Sequence, residues 1–150
     1  MNSTIESNDI VIRRAKPQDS SQVYNLMIEL AVFLKCDREM TLSSEHQSTI
    51  VGYSLYFHIY NFLEGFGISM ENLYVSKSHR GMGIGKMLWQ EVTRIGLELG
   101  STGILIIVDN WNKASKDWYT RRGCVDLTET KEYHYLTLGR KEMEAFVNDA

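Results

Sequence analysis

The densest chemistry in this 150-residue chain lies in one short run, His79-Arg80-Gly81-Met82-Gly83-Ile84-Gly85-Lys86. Its three glycines let a ligand approach the backbone where side chains would block it. An amphipathic pattern starts at Ile84, so the run opens a helix. Free N–H groups at a helix start, aided by the helix dipole, favour a phosphate. Arg80 and Lys86 add positive charge, and Arg80 has the planar fork that suits bidentate contact. The spacing excludes two common phosphate loops. Gly81 and Gly85 stand one residue too close for a Walker A loop, and Met87 follows the lysine. The third glycine comes one residue early for a dinucleotide fingerprint. A glycine-rich tight turn joining strand to helix is the plain alternative.

The elements that must position this run follow from the hydrophobic pattern. Residues 1–9 read as a flexible tail and 10–150 as a single domain. Ile10-Val11-Ile12 is a short strand. Pro17 sits near the first turn of a helix whose apolar face is Val23, Leu26, Met27, Leu30, Phe33 and Leu34. Cys36 to Gln47 reads as a polar loop. Ile50–Tyr60 and Ile68–Val75 form strands of an antiparallel hairpin, turned at Gly65 and Gly67. After the glycine run, Met87, Leu88, Val92, Ile95 and Leu99 form a helical stripe that stops at Gly100. Ile104 to Val108 reads as a strand buried on both faces. Lys113–Arg121 is a helix, Tyr133–Leu138 a last strand and Lys141–Val147 a closing helix.

With these elements placed, the run Arg80-x-x-Gly83-x-Gly85 resembles the acetyl-CoA pyrophosphate motif of the GNAT N-acetyltransferase superfamily. Ile12-Arg13-Arg14-Ala15 resembles that family's first strand, and Ile50-Val51-Gly52-Tyr53 its third. Asn112 to Cys124 resembles its C-terminal motif N-x-x-[AS]-x-x-[FW]-Y-x-[RK]-x-G. Glu71 before Leu73-Tyr74-Val75, Trp111-Asn112 and Tyr119-x-Arg121-Arg122-Gly123 resemble the diamine subgroup, the spermidine/spermine and thialysine N-acetyltransferases. The likeness covers about residues 10–145.

The resemblance implies an α/β (α+β) acyl-CoA N-acyltransferase fold. Its sheet is mixed, mostly antiparallel, splayed at the cofactor site and flanked by helices. It implies acetyl-CoA as donor and direct attack by a primary amine in a ternary complex. Tyr119 would be the general acid on the departing thiolate, since a phenol has a pKa of about 10. Glu71 would help deprotonate the substrate ammonium. Leu73, Tyr74 and Val75 would pair with the pantetheine arm as an added strand. Arg80, Gly81, Met82, Gly83, Ile84, Gly85 and Lys86 would hold the pyrophosphate. Asn112, Ser115, Tyr119 and Arg121 complete the cofactor contacts, with Asn112 equally able to cap the following helix. Leu105, Ile106 and Ile107 would line the substrate tunnel, or simply pack.

The chain departs from the family in three places. Only Lys35 to Thr49 separates the first helix from the Ile50 strand, too few residues for the family's extra helix and second strand. That strand is expected to be shortened or missing, leaving the first strand with another neighbour or an exposed edge. Phe33-Leu34 stands where the diamine subgroup has an aromatic and a glutamate, and Asn72 where it has aspartate. A polycation would therefore be attracted less strongly.

Bulk properties exclude other classes. A net charge of -3 argues against a nucleic-acid partner. No stretch has the length of a membrane span, and two well-separated cysteines, Cys36 and Cys124, suit reduced thiols in the cytoplasm. The four histidines have no metal-ligand spacing, and no metal is required. The expected partners are a small amine and, in a homodimer, a second copy. The alternatives are an acetyl-CoA-binding protein with little turnover, a protein or peptide N-acetyltransferase, and a nucleotide-binding module.

Overall fold

The computed structural model describes residues 5–7, 10–35, 50–61, 65–130 and 136–148. The chain divides into two compact units, Met1–Ile107 and Val108–Ala150.

The first unit begins with two three-residue strands, β1 (Ile5–Ser7) and β2 (Ile10–Ile12), paired antiparallel with Ile5 opposite Ile12. A tail was expected here, yet Ile5–Ser7 forms a strand whose backbone pairs with β2. The segment in which the second strand was expected to be shortened or missing, Lys35 to Thr49, lies outside the described residues apart from Lys35.

Pro17 opens a short 3-10 turn (Pro17–Asp19) that runs into α1 (Ser20–Phe33). Asp19 fixes this entry. Its carboxylate accepts two hydrogen bonds from Arg13, at 2.7 and 2.9 Å, and one from the Lys16 N–H at 2.7 Å. The paired guanidinium, then the Lys16 N–H, hold the Asp19 pKa down at about 2.

The main sheet has three strands in the order β3-β4-β5. β3 (Gly52–Asn61) and β4 (Gly65–Val75) form the expected antiparallel hairpin. β5 (Ile104–Ile106) joins β4 in parallel, and only through Ile68, Ser69 and Met70. Ile104–Val108 was expected to be buried on both faces. Ile104, Leu105 and Ile106 are instead half-buried and Ile107 is 78% exposed. The physical reason is pairing: among the described residues β5 has one strand neighbour, not two.

α2 (Ile84–Glu98) covers one face of this sheet. Val92 packs with Ile68 and Met70, while Ile84 and Leu88 pack with Ile12 and Val75. Ile68 and Val92 are almost fully buried, each contributing about 2 kcal/mol relative to exposure. α1 contacts β3 and β4, with Leu26 against Tyr53 and Tyr74. α2 ends as the pattern predicts, with Gly100 in the left-handed region at φ 73°.

The second unit contains α3 (Lys113–Thr120), α4 (Leu127–Thr130) and α5 (Arg140–Asn148). Lys116 bridges Asp126 at 2.5 Å and Glu129 at 2.8 Å, fastening α3 to α4. The strand expected at Tyr133–Leu138 does not form over Leu136–Leu138, which are irregular and exposed; Tyr133–Tyr135 lie outside the described residues. Leu136 is 92% exposed and has no buried face to fill.

Candidate active site

The register of the hairpin breaks at one point. Leu55 faces Asn72 and Tyr56 faces Met70, so Glu71 has no opposite number on β3. It is the extra residue of a β-bulge, a device that re-aims a side chain. The burial pattern agrees. Ile68 and Met70 face α2, and so do Leu73 and Val75, which strict alternation from Met70 would send to the other face. Glu71 is exposed.

β5 leaves β4 at the same place. Its pairing ends at Met70, and β4 runs on to Val75 without it. The sheet is thus splayed from Glu71 onward. Leu73, Tyr74 and Val75 border that opening, where among the described residues β3 alone pairs with them. The backbones of β3 and β4 are close here: a Cβ on Gly52 would stand 2.8 Å from the Tyr74 carbonyl oxygen.

The glycine run follows directly. Ser76 leads into a short 3-10 turn (Lys77–His79), and its hydroxyl lies 2.8 Å from His79 Nδ1, with Ser78 at 2.9 Å from the same nitrogen. Gly81 and Gly83 have φ of 82° and 84°, a region that L side chains rarely enter. A Cβ on either would meet nothing within 4 Å. These glycines serve backbone conformation in an open bend, rather than close packing. Gly83 is the N-cap of α2 and has no side chain with which to bond the first-turn amides. The first-turn amides of α2, in Ile84, Gly85 and Lys86, are thus presented as a helix N-terminus that an anion can use. Ile84 itself is buried, while Met82 and Lys86 are exposed at the bend.

Arg80 is placed differently from the expectation of a phosphate-gripping fork. Its Nε donates to the Val75 carbonyl at 3.0 Å. Its guanidinium lies 5.2 Å from the Phe33 ring centroid and 5.3 Å from that of Tyr74. A planar cation lying over aromatic rings is a stable arrangement. Tyr74 is held in turn by Glu29 of α1, whose Oε2 accepts from the Tyr74 hydroxyl at 3.1 Å. Burial, then Glu29, pushes the Tyr74 pKa up. Sequence reasoning missed Glu29 and the role of Phe33. The only signal was their spacing, four residues apart on one helix face.

The other half of the expected site stands on α3. Asn112 caps that helix, its Oδ1 accepting from the Ser115 N–H at 3.2 Å, so the capping role is the one the structure shows. Tyr119 is half-buried, with its ring edge-to-face against Trp118 at 5.0 Å. Burial, and then the neighbouring Cys124, push its pKa up to about 12. Arg121 is exposed. Arg122 lies 3.7 Å over the Trp118 ring and donates to the Trp118 carbonyl at 2.7 Å.

The Met1–Ile107 unit thus brings together Glu71, Leu73–Val75 and Arg80–Lys86 at one end of β4. Leu105 and Ile106 belong to the same unit, on β5, and the exposed Ile107 follows them. The Val108–Ala150 unit brings Asn112, Ser115, Tyr119 and Arg121 together on α3 and at its two caps. No group of three or more His, Cys, Asp or Glu placed to hold a metal occurs among the described residues.

A sheet opened at a bulge, continued by an uncapped glycine bend into a helix, is the decisive arrangement. The sequence profile of the Acetyltransferase (GNAT) family matches residues 11–124. The chain belongs to the GNAT acetyltransferase family. Enzymes of this family use acetyl-CoA as donor, and the bend fits that donor: two glycines with open space above them and a helix start free of a side-chain cap.

Among GNAT relatives, the chain is 29% identical to the thialysine N-epsilon-acetyltransferase of Sus scrofa over 152 positions, covering 83% of this chain and 89% of that protein. The aligned stretch has more positions than this chain has residues, so the relative carries residues that this one lacks. A spermidine/spermine N(1)-acetyltransferase-like protein 1 of Homo sapiens is 29% identical over 93 residues, 62% of this chain and 13% of that protein. In structure, an integron cassette protein from the mobile metagenome of V. cholerae superposes with a TM-score of 0.72. It is 18% identical and covers 89% of this chain and 94% of its own. That likeness shows a shared fold.

Proposed function

We propose that this enzyme transfers the acetyl group of acetyl-CoA to a primary amine of a small molecule, of the diamine, polyamine or lysine-analogue class. The observation that carries the reading is the coincidence at Glu71, where the bulge and the splay of the sheet begin together. The relatives named for thialysine and spermidine/spermine acetylation support the choice of acceptor.

Acetyl-CoA supplies an activated thioester carbonyl. The chain's residues do the rest. The open edge of Leu73–Val75 pairs with the amide-bearing arm, and the Gly81–Lys86 amides take the pyrophosphate. Ser115 and Arg121 add contacts from α3, and Leu105, Ile106 and Ile107 border the acceptor. Glu71 draws in the ammonium and accepts a proton from it, directly or through water, because an amine with a pKa of about 10 must lose one before it attacks. The nitrogen lone pair forms the new C–N bond, the C–S bond breaks as Tyr119 gives its proton to the departing thiolate, and the second proton lost by the acylated nitrogen returns to the Tyr119 phenolate, directly or through water, while Glu71 releases its proton to solvent. The burial that raises the Tyr119 pKa keeps this acid loaded at neutral pH. The reading includes a cytoplasmic enzyme that works as a homodimer. No described helix is long and apolar enough to cross a membrane.

The test is purified protein with acetyl-CoA and a panel of amines, following released thiol. Diamines or lysine analogues should be the fastest acceptors, and Glu71→Gln should lower turnover by about a hundredfold or more. Calorimetric CoA binding with no thiol released by any amine would overturn the catalytic reading and leave a binding protein. Peptides outrunning every small amine would reassign the acceptor.

A further inference from the structure

Asn72 follows the bulged residue and stands opposite Leu55, half-buried on the sheet face that carries Tyr74. Its side chain turns back along its own strand: Nδ2 donates to the backbone carbonyl of Glu71 at 2.8 Å. Only the nitrogen end of the amide can face a carbonyl oxygen, which fixes the orientation of the group. The bond falls where the ladder thins. Glu71 has no opposite residue on β3, and the β5 pairing ends at Met70. The extra residue of a bulge is left out of the ladder, and a backbone carbonyl needs a donor. Asn72 supplies one from within the strand.

We propose that Asn72 is a positioning residue for Glu71. By holding that carbonyl it fixes the peptide plane between the two residues, and with it the direction in which the Glu71 carboxylate leaves the strand. The inference rests on the reading of Glu71 as proton acceptor and deepens it: the bulge aims the carboxylate, and Asn72 keeps the aim. The side chain at 72 has to be a donor. An aspartate there has the same shape but would set a carboxylate oxygen against the Glu71 carbonyl oxygen, acceptor against acceptor. Charge alone gives the opposite expectation. A second carboxylate beside Glu71 would draw a cationic amine more strongly, so Asn72→Asp would help the enzyme; the clamp makes the same change harmful.

Steady-state kinetics of the full chain, with acetyl-CoA and its fastest amine, test this in a double-mutant cycle. Asn72→Asp and Asn72→Ala should each lower kcat about tenfold, the scale of a small misplacement of a reacting group. The KM for acetyl-CoA should stay within about twofold of wild type. In a Glu71→Gln background, Asn72→Ala should cost less than about twofold, because the group it aims is gone. Losses that multiply in the double variant, a KM for acetyl-CoA that rises in step, or an Asn72→Asp variant as fast as wild type would each overturn the proposal. Hydrogen exchange on the unliganded chain gives a reading independent of turnover. Amides of residues 70–73 should exchange about three- to tenfold faster in Asn72→Ala, the loss of one hydrogen bond, with α2 unchanged. Equal rates overturn the clamp. If no amine is turned over, or Glu71→Gln keeps wild-type turnover, the proton-acceptor reading falls instead, and the exchange rates alone decide whether Asn72 holds the bulge.

Discussion

The guanidinium carbon of Arg80 lies 5.3 Å from the centroid of the Tyr74 ring, and its Nε holds the carbonyl of the next residue, Val75. Arg80 therefore grips the end of β4 where the sheet has opened. Its first task is to hold the strand from which the cofactor edge is made.

Arg80→Gln should raise the KM for acetyl-CoA with little change in kcat. Loss of one charged hydrogen bond, about 1.5–3 kcal/mol, corresponds to roughly ten- to a hundredfold in affinity. Arg80→Lys should rescue poorly, because a compact ammonium cannot lie over the Phe33 and Tyr74 rings as a planar guanidinium does while also holding the Val75 carbonyl. Initial-rate kinetics with each substrate varied in turn will show whether the loss falls on KM.

Gly83 and Gly52 should fail for opposite reasons. Gly83→Ala meets no atom within 4 Å, so its cost is the left-handed backbone alone, about 1–2 kcal/mol, and Gly83→Asn should recover part of it. Gly52→Ala drives a Cβ against the Tyr74 carbonyl oxygen and should lose more, with no recovery from asparagine. Urea unfolding of the four variants, Ala and Asn at each position, measures the order.

Tyr119→Phe should lower kcat by about a hundred- to ten-thousandfold, the range for a positioned acid, while calorimetric CoA affinity stays the same. The raised pKa of Tyr119, about 12, sets the pH behaviour. The wild-type rate should climb with pH as the amine deprotonates and show no fall from this hydroxyl below about pH 10. A descending limb near neutrality that disappears in Tyr119→Phe would contradict the assignment.

Asp19 should make the fold acid-sensitive in one window. Its pKa is depressed to about 2 by Arg13 and the Lys16 N–H, against about 3.9 in an unfolded chain. The folded state therefore binds fewer protons than the unfolded one between these values. The stability this contributes is full above about pH 4 and is lost as pH falls through 2. Thermal melts from pH 6 to 2 should show a steeper decline for the wild type than for Asp19→Asn.

Much of this was legible from single residues. Pro17 marked the first helix, Gly100 ended α2, and the glycine run stood between strand and helix as its letters required. The site was less legible wherever it depended on pairing. The bulge at Glu71 exists only in the register between Leu55–Tyr56 and Met70–Asn72, and no pattern along one strand reveals which residue is left over. The contact of Arg80 with Phe33 joins residues far apart in the chain, so its letters suggested a free fork. Ile104–Val108 read as a buried strand because apolar runs do not say how many neighbours they will have. Ile5–Ser7 read as tail because three residues are too few for a period.

The surplus residue in β4 also decides which way up the rest of that strand lies. Side chains turn over at every step, so shortening β4 by the single position 71 would rotate all that follows. Leu73 and Val75 would be carried away from α2 and Tyr74 driven beneath it, parting the phenol from Glu29 and the carbonyl from Arg80. A missing residue there would be far more damaging than a changed one, because orientation downstream depends on the count of residues and not on their kind.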